Sequence, residues 1–140
     1  MWLCCKIETG RSPDYNIFCQ YWSDPKHPLW VISHNECIIG TAGLAEHGLN
    51  EKGEVTHMAI KRRYKRNGLA QILLYKLIEY CEKYEYEEII LFTSVLQLPA
   101  ERLYEKIGFK KWKMSKHIFI RSCIEVQTSH FSLKLPRTNT

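Results

Sequence analysis

The sequence predicts a mixed α/β or α+β domain in which a sheet packs against two helices. Three patterns lead to this class. Residues 68–84 repeat apolar side chains at the spacing of one helix face, and residues 88–93 form a nearly continuous apolar run typical of a strand buried on both faces. Residues 29–44 contain two apolar segments separated by a short polar turn, which indicates a hairpin. The 140 residues are enough for one domain, expected to occupy residues 1–140.

The first part of the chain begins irregularly and then becomes rich in strands. We expect residues 1–28, the N-terminal part, to contain a short helix, because four aromatic residues cluster there between turn-forming segments. These aromatic residues are Tyr15, Phe18, Tyr21 and Trp22. Residues 29–33 and 37–44 are predicted strands joined by a turn at residues 34–36, and residues 54–60 are a third strand after a loop.

The rest of the chain contains both predicted helices. On the first helix, the apolar residues that fall on one face are Ala70, Leu73, Leu74, Leu77, Ile78 and Cys81. The second helix is expected to begin near Pro99, which suits a first helical turn, and to end at Gly108. Residues 109–114 and 131–135 are predicted closing strands, with residues 117–126 as a connection or a further strand.

Composition narrows the functional classes only moderately. An apolar share of 45% and a charged share of 25% are those of a soluble globular domain, which excludes disordered and coiled-coil proteins. No run of about 18 apolar residues and no signal peptide is present, so we expect a cytoplasmic protein without a transmembrane segment. The six cysteines show no C-x-x-C pattern and no zinc-ligand spacing, and no metal site is expected.

A basic segment stands between the third strand and the first helix. Its cationic residues are Lys61, Arg62, Arg63, Lys65 and Arg66, within a chain of net charge +5. Such a patch favours a polyanion, whether a nucleic acid, an acidic membrane or a phosphorylated cofactor. Because the free N–H groups at a helix start bind phosphate oxygens, and Gly68 permits close approach, a phosphate site is the functional interpretation. A solvated basic turn is the structural alternative.

Two motifs around the first helix resemble those of the GNAT superfamily of N-acetyltransferases. The segment from Lys65 to Ala70 reads K-R-N-G-L-A and is similar to the family's acetyl-CoA-binding motif R/Q-x-x-G-x-G/A, with Lys65 in place of Arg or Gln. The segment from Ala100 to Phe109 is similar to the family's A-x-x-L-Y-x-x-x-G-F. The resemblance covers roughly residues 54–112. It implies a mixed, mostly antiparallel sheet flanked by helices, with acetyl-CoA as co-substrate.

The resemblance also implies cofactor contacts at particular positions. The end of the third strand is where the family exposes backbone groups to the pantetheine arm, here at Met58, Ala59 and Ile60. The positions at which the family holds the pyrophosphate are Lys65, Arg66, Asn67, Gly68, Leu69, Ala70 and Gln71. Gln97 stands where the family often has an asparagine, so a further cofactor contact is expected there.

Three residues are candidates for proton transfer. Tyr104 takes the position of the tyrosine that commonly protonates the departing thiolate in the family, and a core aromatic residue is the alternative interpretation. The attacking amine needs a base, acting directly or through water. Glu54 matches the catalytic glutamate position of some histone-modifying members of the family, with a surface carboxylate at the strand start as the alternative. His57 is the other candidate, because imidazole is a common proton-transfer group, with a structural histidine as its alternative. In strict strand alternation these two side chains point to opposite faces, so only one of them serves unless a bulge intervenes.

A narrower resemblance is to the camello-type N-acetyltransferases. It rests on the hairpin, the strand with His57, residues 93–97 and the ending from His130 to Pro136. It implies acetyl transfer to a primary amine of a cysteine S-conjugate, another small amine or a protein lysine. Members usually carry an N-terminal hydrophobic membrane hairpin, which this sequence does not show. The resemblance therefore implies either a soluble relative or a shortened form whose N-terminal part is abbreviated to residues 1–28, and only the shortened form would associate with the endoplasmic reticulum membrane. No cysteine stands in a nucleophile motif, and direct attack by the amine is predicted.

Two other functions stay open from the sequence. One is a catalytically inactive acyl-CoA-binding or protein-interaction module of the same fold, because binding alone does not require Tyr104, Glu54 or His57. The other is nucleic-acid binding through the basic segment. The sequence shows no recognition-helix motif and no aromatic-rich basic surface, so no nucleic-acid partner is expected. The predicted partners are acetyl-CoA and an amine acceptor, and the oligomeric state is not predicted.

Overall fold

A computed structural model of the protein describes residues 3–5, 15–21, 27–47, 52–94, 98–119 and 124–136. Its elements in chain order are β1 (Leu3–Cys5), β2 (Tyr15–Tyr21), β3 (Pro28–His34), β4 (Cys37–His47), β5 (Lys52–Ile60), a 3₁₀ turn (Arg62–Tyr64), α1 (Leu69–Lys83), β6 (Glu88–Ser94), α2 (Leu98–Ile107), β7 (Lys110–Phe119) and β8 (Ile124–Lys134). The strands form one sheet in the order β1-β2-β3-β4-β5-β6-β8-β7. Every neighbouring pair is antiparallel except β5 and β6, which confirms the predicted mixed, mostly antiparallel sheet.

The hairpin predicted for residues 29–44 is present as β3 and β4. Its turn consists of Asn35 and Glu36, whose φ angles are both positive, at 49° and 63°. Two consecutive left-handed residues form the two-residue turn whose twist matches that of the strands it joins. His34 therefore belongs to β3 rather than to the turn, and pairs with Cys37 across it.

The amphipathic pattern of α1 is confirmed by its burial. Leu73, Leu74, Leu77 and Cys81 are fully buried and belong to the same apolar core as side chains of β3, β4 and β5. Full burial stabilises the fold by about 1.5–3 kcal/mol for each leucine. Burial also raises the pKa of the Cys81 thiol to about 12, so this thiol stays protonated at neutral pH and cannot serve as a nucleophile.

The second helix, α2, packs on the same face of the sheet as α1. The Ser129 hydroxyl donates a 2.6 Å hydrogen bond to the carboxylate of Glu101. One turn later, the ring of Tyr104 lies 5.7 Å from the ring of Phe131, measured between centroids. Phe131 stands directly opposite Leu91 in the β6–β8 ladder, and both belong to the core that α1 covers. Both described helices therefore cover one face of the sheet.

No described helix covers the other face of the sheet, which we call the helix-free face. On β6, Ile89 and Leu91 are buried under the helices, whereas Phe92 is 43% exposed. On the edge strand β7, Trp112 is 62% exposed. The prediction that residues 88–93 are buried on both faces is therefore wrong, because their apolar run includes a side chain that points to the helix-free face.

The N-terminal part contains a strand where the aromatic cluster predicts a short helix. β2 pairs with β3 in seven consecutive positions, and Ile17, opposite Ile32, is buried in the core. The spacing of the aromatic residues is compatible with a helix. Pairing with β3 over all seven residues, and with β1 at residues 17–19, nevertheless gives β2 hydrogen bonds to neighbouring strands, and this tertiary interaction outweighs the local pattern. Trp22 lies outside the described residues.

The end of the chain confirms two closing strands, which are longer than predicted. β7 and β8 pair as far as Phe119 and Ile124, so most of residues 117–126 belongs to strands. The predicted helix stop is also confirmed, because Gly108 follows α2 with a φ of 121° that favours glycine. Neither described helix is long and apolar enough to span a bilayer.

Candidate active site

A cleft opens where the pairing between β5 and β6 ends. Within the described residues, the parallel pairs between these strands are Lys52 with Glu88, Gly53 with Ile89, and Glu54 with Ile90. Beyond them, β5 stays paired with β4 as far as Ile60, and β6 stays paired with β8 as far as Ser94. The two strands thus follow different neighbours, and a gap is left between them. Glu54 lies at the closed end of this gap.

A β-bulge in β5 shapes one wall of the cleft. Between the pair Thr41–Ala59 and the pair Gly43–Thr56, β4 advances by two residues and β5 by three. The bulge is marked by His57, whose φ of 49° is left-handed. The His57 carbonyl accepts a 2.7 Å hydrogen bond from the hydroxyl of Thr41. A threonine hydroxyl therefore satisfies a carbonyl that the bulge removes from the regular ladder.

The bulge brings Glu54 and His57 to the same side of the sheet. Before the bulge, Val55 is in the core, so its neighbour Glu54 lies on the helix-free face. After the bulge, Met58 and Ile60 pack against the core, which means that the alternation has shifted by one residue. His57 is left exposed on the helix-free face. The bulge therefore breaks the strict alternation of the strand, and the two candidate bases Glu54 and His57 lie on the same face of the sheet.

A cavity of about 580 Å³ lies on the helix-free face beside the bulge. Residues of its lining include His27, Leu29, Thr41, Gly43, Thr56 and His57. Its lining also includes Ala45, which is directly opposite Glu54 in the β4–β5 ladder. The cavity therefore adjoins both candidate bases and has the size of a small-molecule pocket, which is typically about 300–1,000 Å³.

The end of β5 presents backbone groups to the cleft. The Lys61 N–H donates a 2.8 Å hydrogen bond to the Ile39 carbonyl, and Ala59 pairs with β4 two residues earlier. Because backbone groups alternate in direction along a strand, those of Ile60 point away from β4 and into the cleft. By the same alternation, Met58 also directs backbone groups toward the cleft, whereas those of Ala59 are directed to β4. The pantetheine contacts at Met58, Ala59 and Ile60 stay predictions.

The basic loop lies between the end of β5 and the start of α1. Lys65, Arg66, Asn67 and Gly68 are all exposed, and the φ angles of Arg66 and Gly68 are 70° and 73°. Gly68 is the N-cap of α1 and provides no side-chain cap, and the first turn contains no acidic residue. A Cβ at Gly68 would meet no described atom within 4 Å. The free N–H groups and positive dipole end of α1 therefore face an open, cationic surface suited to phosphate.

The other predicted cofactor residues differ in what they can contribute. Leu69 is buried in the core, so only its backbone is available to a ligand. Ala70 and Gln71 are half-buried, and the Gln71 amide donates a 3.3 Å hydrogen bond to the Tyr75 hydroxyl. Gln97 lies outside the described residues, and its cofactor contact stays a prediction.

Tyr104 lies on α2, on the opposite side of the cleft from the basic loop. It is 6% exposed, and its ring centroid lies 6.1 Å from that of Phe109 and 5.7 Å from that of Phe131. Burial raises the pKa of its phenol, so the group is protonated at neutral pH and is able to donate a proton. Tyr104 is on the helix-covered face and Glu54 is on the helix-free face, so the structure does not bring these two candidates into contact.

Several contacts next to the site could not be predicted from local patterns. Thr41 holds the bulge, the Tyr64 hydroxyl lies 3.2 Å from His34 Nδ1, and Glu101 accepts a hydrogen bond from Ser129. Tyr64 stands within the basic segment and Glu101 within the second motif, but their partners are 30 and 28 residues away. Among the described residues, no three His, Cys, Asp or Glu side chains are grouped so that they could hold a metal ion.

Comparison with known proteins identifies the class and then the family. The structure superposes on a GNAT family acetyltransferase from Elizabethkingia anophelis with acetyl-CoA bound, with a TM-score of 0.73 and 17% identity, covering 89% of this chain and 100% of that one. The fold is thus the GNAT fold, as the resemblance of the two motifs implies. Residues 1–109 match the profile of the acetyltransferase (GNAT) family. The chain belongs to this family.

Two human relatives confirm the narrower resemblance to the camello-type N-acetyltransferases. The chain is 31% identical to N-acetyltransferase 8B over 131 residues, which cover 90% of this chain and 57% of that protein. It is 26% identical to N-acetylaspartate synthetase over 113 residues, which cover 81% of this chain and 36% of that protein. The chain therefore spans about half, or less, of the length of these curated relatives.

Proposed function

We propose that the chain binds acetyl-CoA in the cleft between β5 and β6 and transfers its acetyl group to a primary amine. The observation that carries this proposal is the separation of the two parallel strands beyond Glu54 and Ile90. An extended pantetheine arm suits such a gap, because its amides can bond to the strand backbone as a neighbouring strand would. Membership of the family and the likeness to an acetyl-CoA-bound acetyltransferase support acetyl-CoA as the co-substrate.

The phosphates of CoA bind at the mouth of the cleft. The first turn of α1 has free N–H groups and no acidic side chain, and Lys65 and Arg66 add positive charge beside it. The departure at Lys65 from the family's usual Arg or Gln is tolerated, because backbone amides do most of the phosphate binding. From the phosphates, the pantetheine arm runs into the cleft past Met58, Ala59 and Ile60.

Acetyl transfer needs one proton acceptor and one proton donor. The amine loses a proton to Glu54 or His57, directly or through water, and its nitrogen attacks the carbonyl carbon of the thioester. The carbon–sulfur bond then breaks, and Tyr104 protonates the departing thiolate. Both candidate bases lie on the helix-free face and Tyr104 lies on the helix-covered face, so the amine and the thiolate are served from opposite sides of the sheet.

The amine acceptor enters from the helix-free face through the cavity beside His57. The cavity has both hydroxyl and imidazole groups and apolar walls, so it accepts a small molecule of mixed polarity. The acceptors to test are a cysteine S-conjugate, another small amine and a lysine side chain of a protein. One relative is named N-acetylaspartate synthetase, so an amino acid is included among the small amines to be tested as acceptors.

Calorimetric titration of the full chain with acetyl-CoA, in moderate salt, tests the cofactor site. Micromolar binding is expected, and ATP is the matched control because it carries the nucleotide and phosphates without the pantetheine arm. Weaker binding of ATP than of acetyl-CoA shows that the cleft contributes. A folded protein that binds neither ligand, or both equally, contradicts the cofactor proposal.

A second experiment tests the acyl transfer itself. The protein is incubated with acetyl-CoA and each acceptor class, and release of CoA thiol is followed together with the mass of the product. An acceptor that gains one acetyl group supports the enzyme. Tight binding of acetyl-CoA with no transfer to any acceptor class would favour the acyl-CoA-binding module, and acetyl transfer would then be withdrawn.

A further inference from the structure

The eight residues that join β5 to α1 are attached to the sheet at two points. The first attachment is at their start, where the Lys61 N–H bonds to the Ile39 carbonyl at 2.8 Å and extends the β4–β5 ladder by one residue. The chain then makes a 3₁₀ turn, closed by a 2.8 Å hydrogen bond from the Tyr64 N–H to the Lys61 carbonyl. The second attachment is the side chain of Tyr64.

Tyr64 contacts His34 at the end of β3. The Tyr64 hydroxyl lies 3.2 Å from His34 Nδ1, and the two rings meet edge to face with centroids 5.7 Å apart. The ring of Tyr64 also packs against the core. His34 directly precedes the left-handed turn at Asn35 and Glu36, and its position is set by the pairing of β3 with β4. The contact therefore connects the paired hairpin to the middle of the basic segment.

Residues 65–68 are the part of the segment that remains between this second attachment and α1. They are all exposed, and they contain Lys65, Arg66 and two left-handed backbone positions. The Lys65 N–H bonds back to the Arg62 carbonyl at 3.3 Å, so the direction in which the chain leaves Tyr64 is set by the 3₁₀ turn. Any movement of Tyr64 is thus passed directly to the residues beside the first turn of α1.

We propose that Tyr64 and His34 are positioning residues for the phosphate-binding loop. Their contact holds residues 65–68 in the conformation that receives the phosphates before CoA arrives. A loop that is ordered in advance loses less conformational entropy when its ligand binds. The inference rests on the proposed function, since it assumes that this loop binds CoA. Both side chains are half-buried, so loss of their hydrogen bond leaves no fully buried polar group unsatisfied.

The test is a calorimetric titration of the full chain with CoA in four forms: wild type, Tyr64→Phe, His34→Phe and the double variant. Each single variant keeps an aromatic ring and removes one partner of the hydrogen bond. We expect Kd to rise about 3- to 10-fold in each single variant. No further rise is expected in the double variant, because the contact is already broken. Tyr84→Phe is the matched control, an exposed tyrosine at the far end of α1, and should bind as the wild type does.

Thermal unfolding and kinetics distinguish positioning from a merely structural role. For a positioning role, KM for acetyl-CoA rises while kcat at saturation is unchanged. A lowered Tm with wild-type Kd overturns the inference, and so do additive losses in the double variant, which would mean that the two residues act separately. If Tyr64→Phe does not fold, His34→Phe alone decides. Failure of the proposed function can be distinguished from failure of this positioning role, because in the first case the wild-type protein itself would not bind CoA.

Discussion

On one side of the cleft, residues 61–68 expose all of their cationic side chains, whereas on the other side α2 buries Glu101 and Tyr104 against β8. The loop is held to the sheet by backbone pairing and by the half-buried side chain of Tyr64, and the first turn of α1 is left without a side-chain cap. The helix α2 is held to β8 by the carboxylate of Glu101, which is 8% exposed and accepts a 2.6 Å hydrogen bond from the Ser129 hydroxyl.

The difference between these two regions fits the roles that are proposed for them. Phosphates are hydrated anions, and a surface that captures them has to present charge and N–H groups to solvent. A phenol that donates a proton has to stay neutral until the thiolate forms, and burial raises the pKa of Tyr104 accordingly. Substitutions should therefore separate in the same way. Changes in the loop should alter affinity, and changes in α2 should alter turnover or stability.

Tyr104→Phe should give the largest effect and should leave acetyl-CoA affinity nearly unchanged. The substitution removes a proton donor and keeps the packing against Phe109 and Phe131. We expect kcat to fall about 100-fold or more. Tyr86→Phe is the matched control, because it removes the hydroxyl of another buried tyrosine, outside the second motif. Wild-type turnover in Tyr104→Phe would remove Tyr104 from the proton-donor role.

Gly68→Glu should be the strongest substitution on the loop side. It places a carboxylate beside the phosphates, and the repulsion should weaken CoA binding by about 2 kcal/mol, or ~30-fold in Kd. Gly68→Ala is the control, because it carries the same cost of a left-handed φ, about 1–2 kcal/mol, without the charge. Equal CoA affinity of the two variants, measured by calorimetry, would contradict an electrostatic role for this position.

Glu101→Ala should destabilise the protein by about 1–2 kcal/mol, because it leaves the fully buried Ser129 hydroxyl without its acceptor. It also removes the partner of Lys111, whose Nζ lies 3.7 Å from the carboxylate. Glu105→Ala, at an exposed position one turn later, should stay within about 0.5 kcal/mol of the wild type. Denaturant unfolding measures both. A loss of equal size in Glu105→Ala would show that helix α2, rather than the buried bond, is the sensitive feature.

Glu88→Gln should give the smallest effect, at the closed end of the cleft where both sides meet. A hydrogen bond from the Ser132 hydroxyl and the ammonium groups of Lys52 and Lys134 hold the pKa of the Glu88 carboxyl below its usual value. A depressed folded-state pKa contributes stability above the unfolded value of about 4.3, and this stability is lost as the pH falls through the folded value.

The free energy of unfolding of Glu88→Gln should therefore lie below that of the wild type near neutral pH, by less than about 1 kcal/mol. The difference should shrink as the pH is lowered below about 5. Glu79→Gln, which changes an exposed partner of Lys76, is the control and should show no such trend. A difference that stays constant with pH would rule out the electrostatic explanation. CoA affinity should not change, because Glu88 lies at the opposite end of β5 from the basic loop that is proposed to bind the phosphates.

The parts of the fold that could be predicted are those whose signal lies in neighbouring residues. The helix α1 follows from the repeat of Leu73, Leu74 and Leu77, and the hairpin follows from two apolar segments around a short turn. The strand at Tyr15–Tyr21 could not be predicted, because its partner β3 decides its conformation. The exposure of Phe92 could not be predicted either, since an apolar run does not reveal whether a helix covers each face of a sheet.

The sequence by itself determined that a strand, a basic loop and a helix follow one another, with a glycine at the helix start. It also determined the two motifs that identify the family. Each of these features depends only on residues that are close together in the chain. Tertiary structure alone decided that β5 bulges at His57, that Glu54 and His57 share a face, and that Tyr64 contacts His34. The hydrogen bonds responsible join residues 16 and 30 positions apart. Contacts over such separations form only once the sheet has brought β3, β4 and β5 side by side.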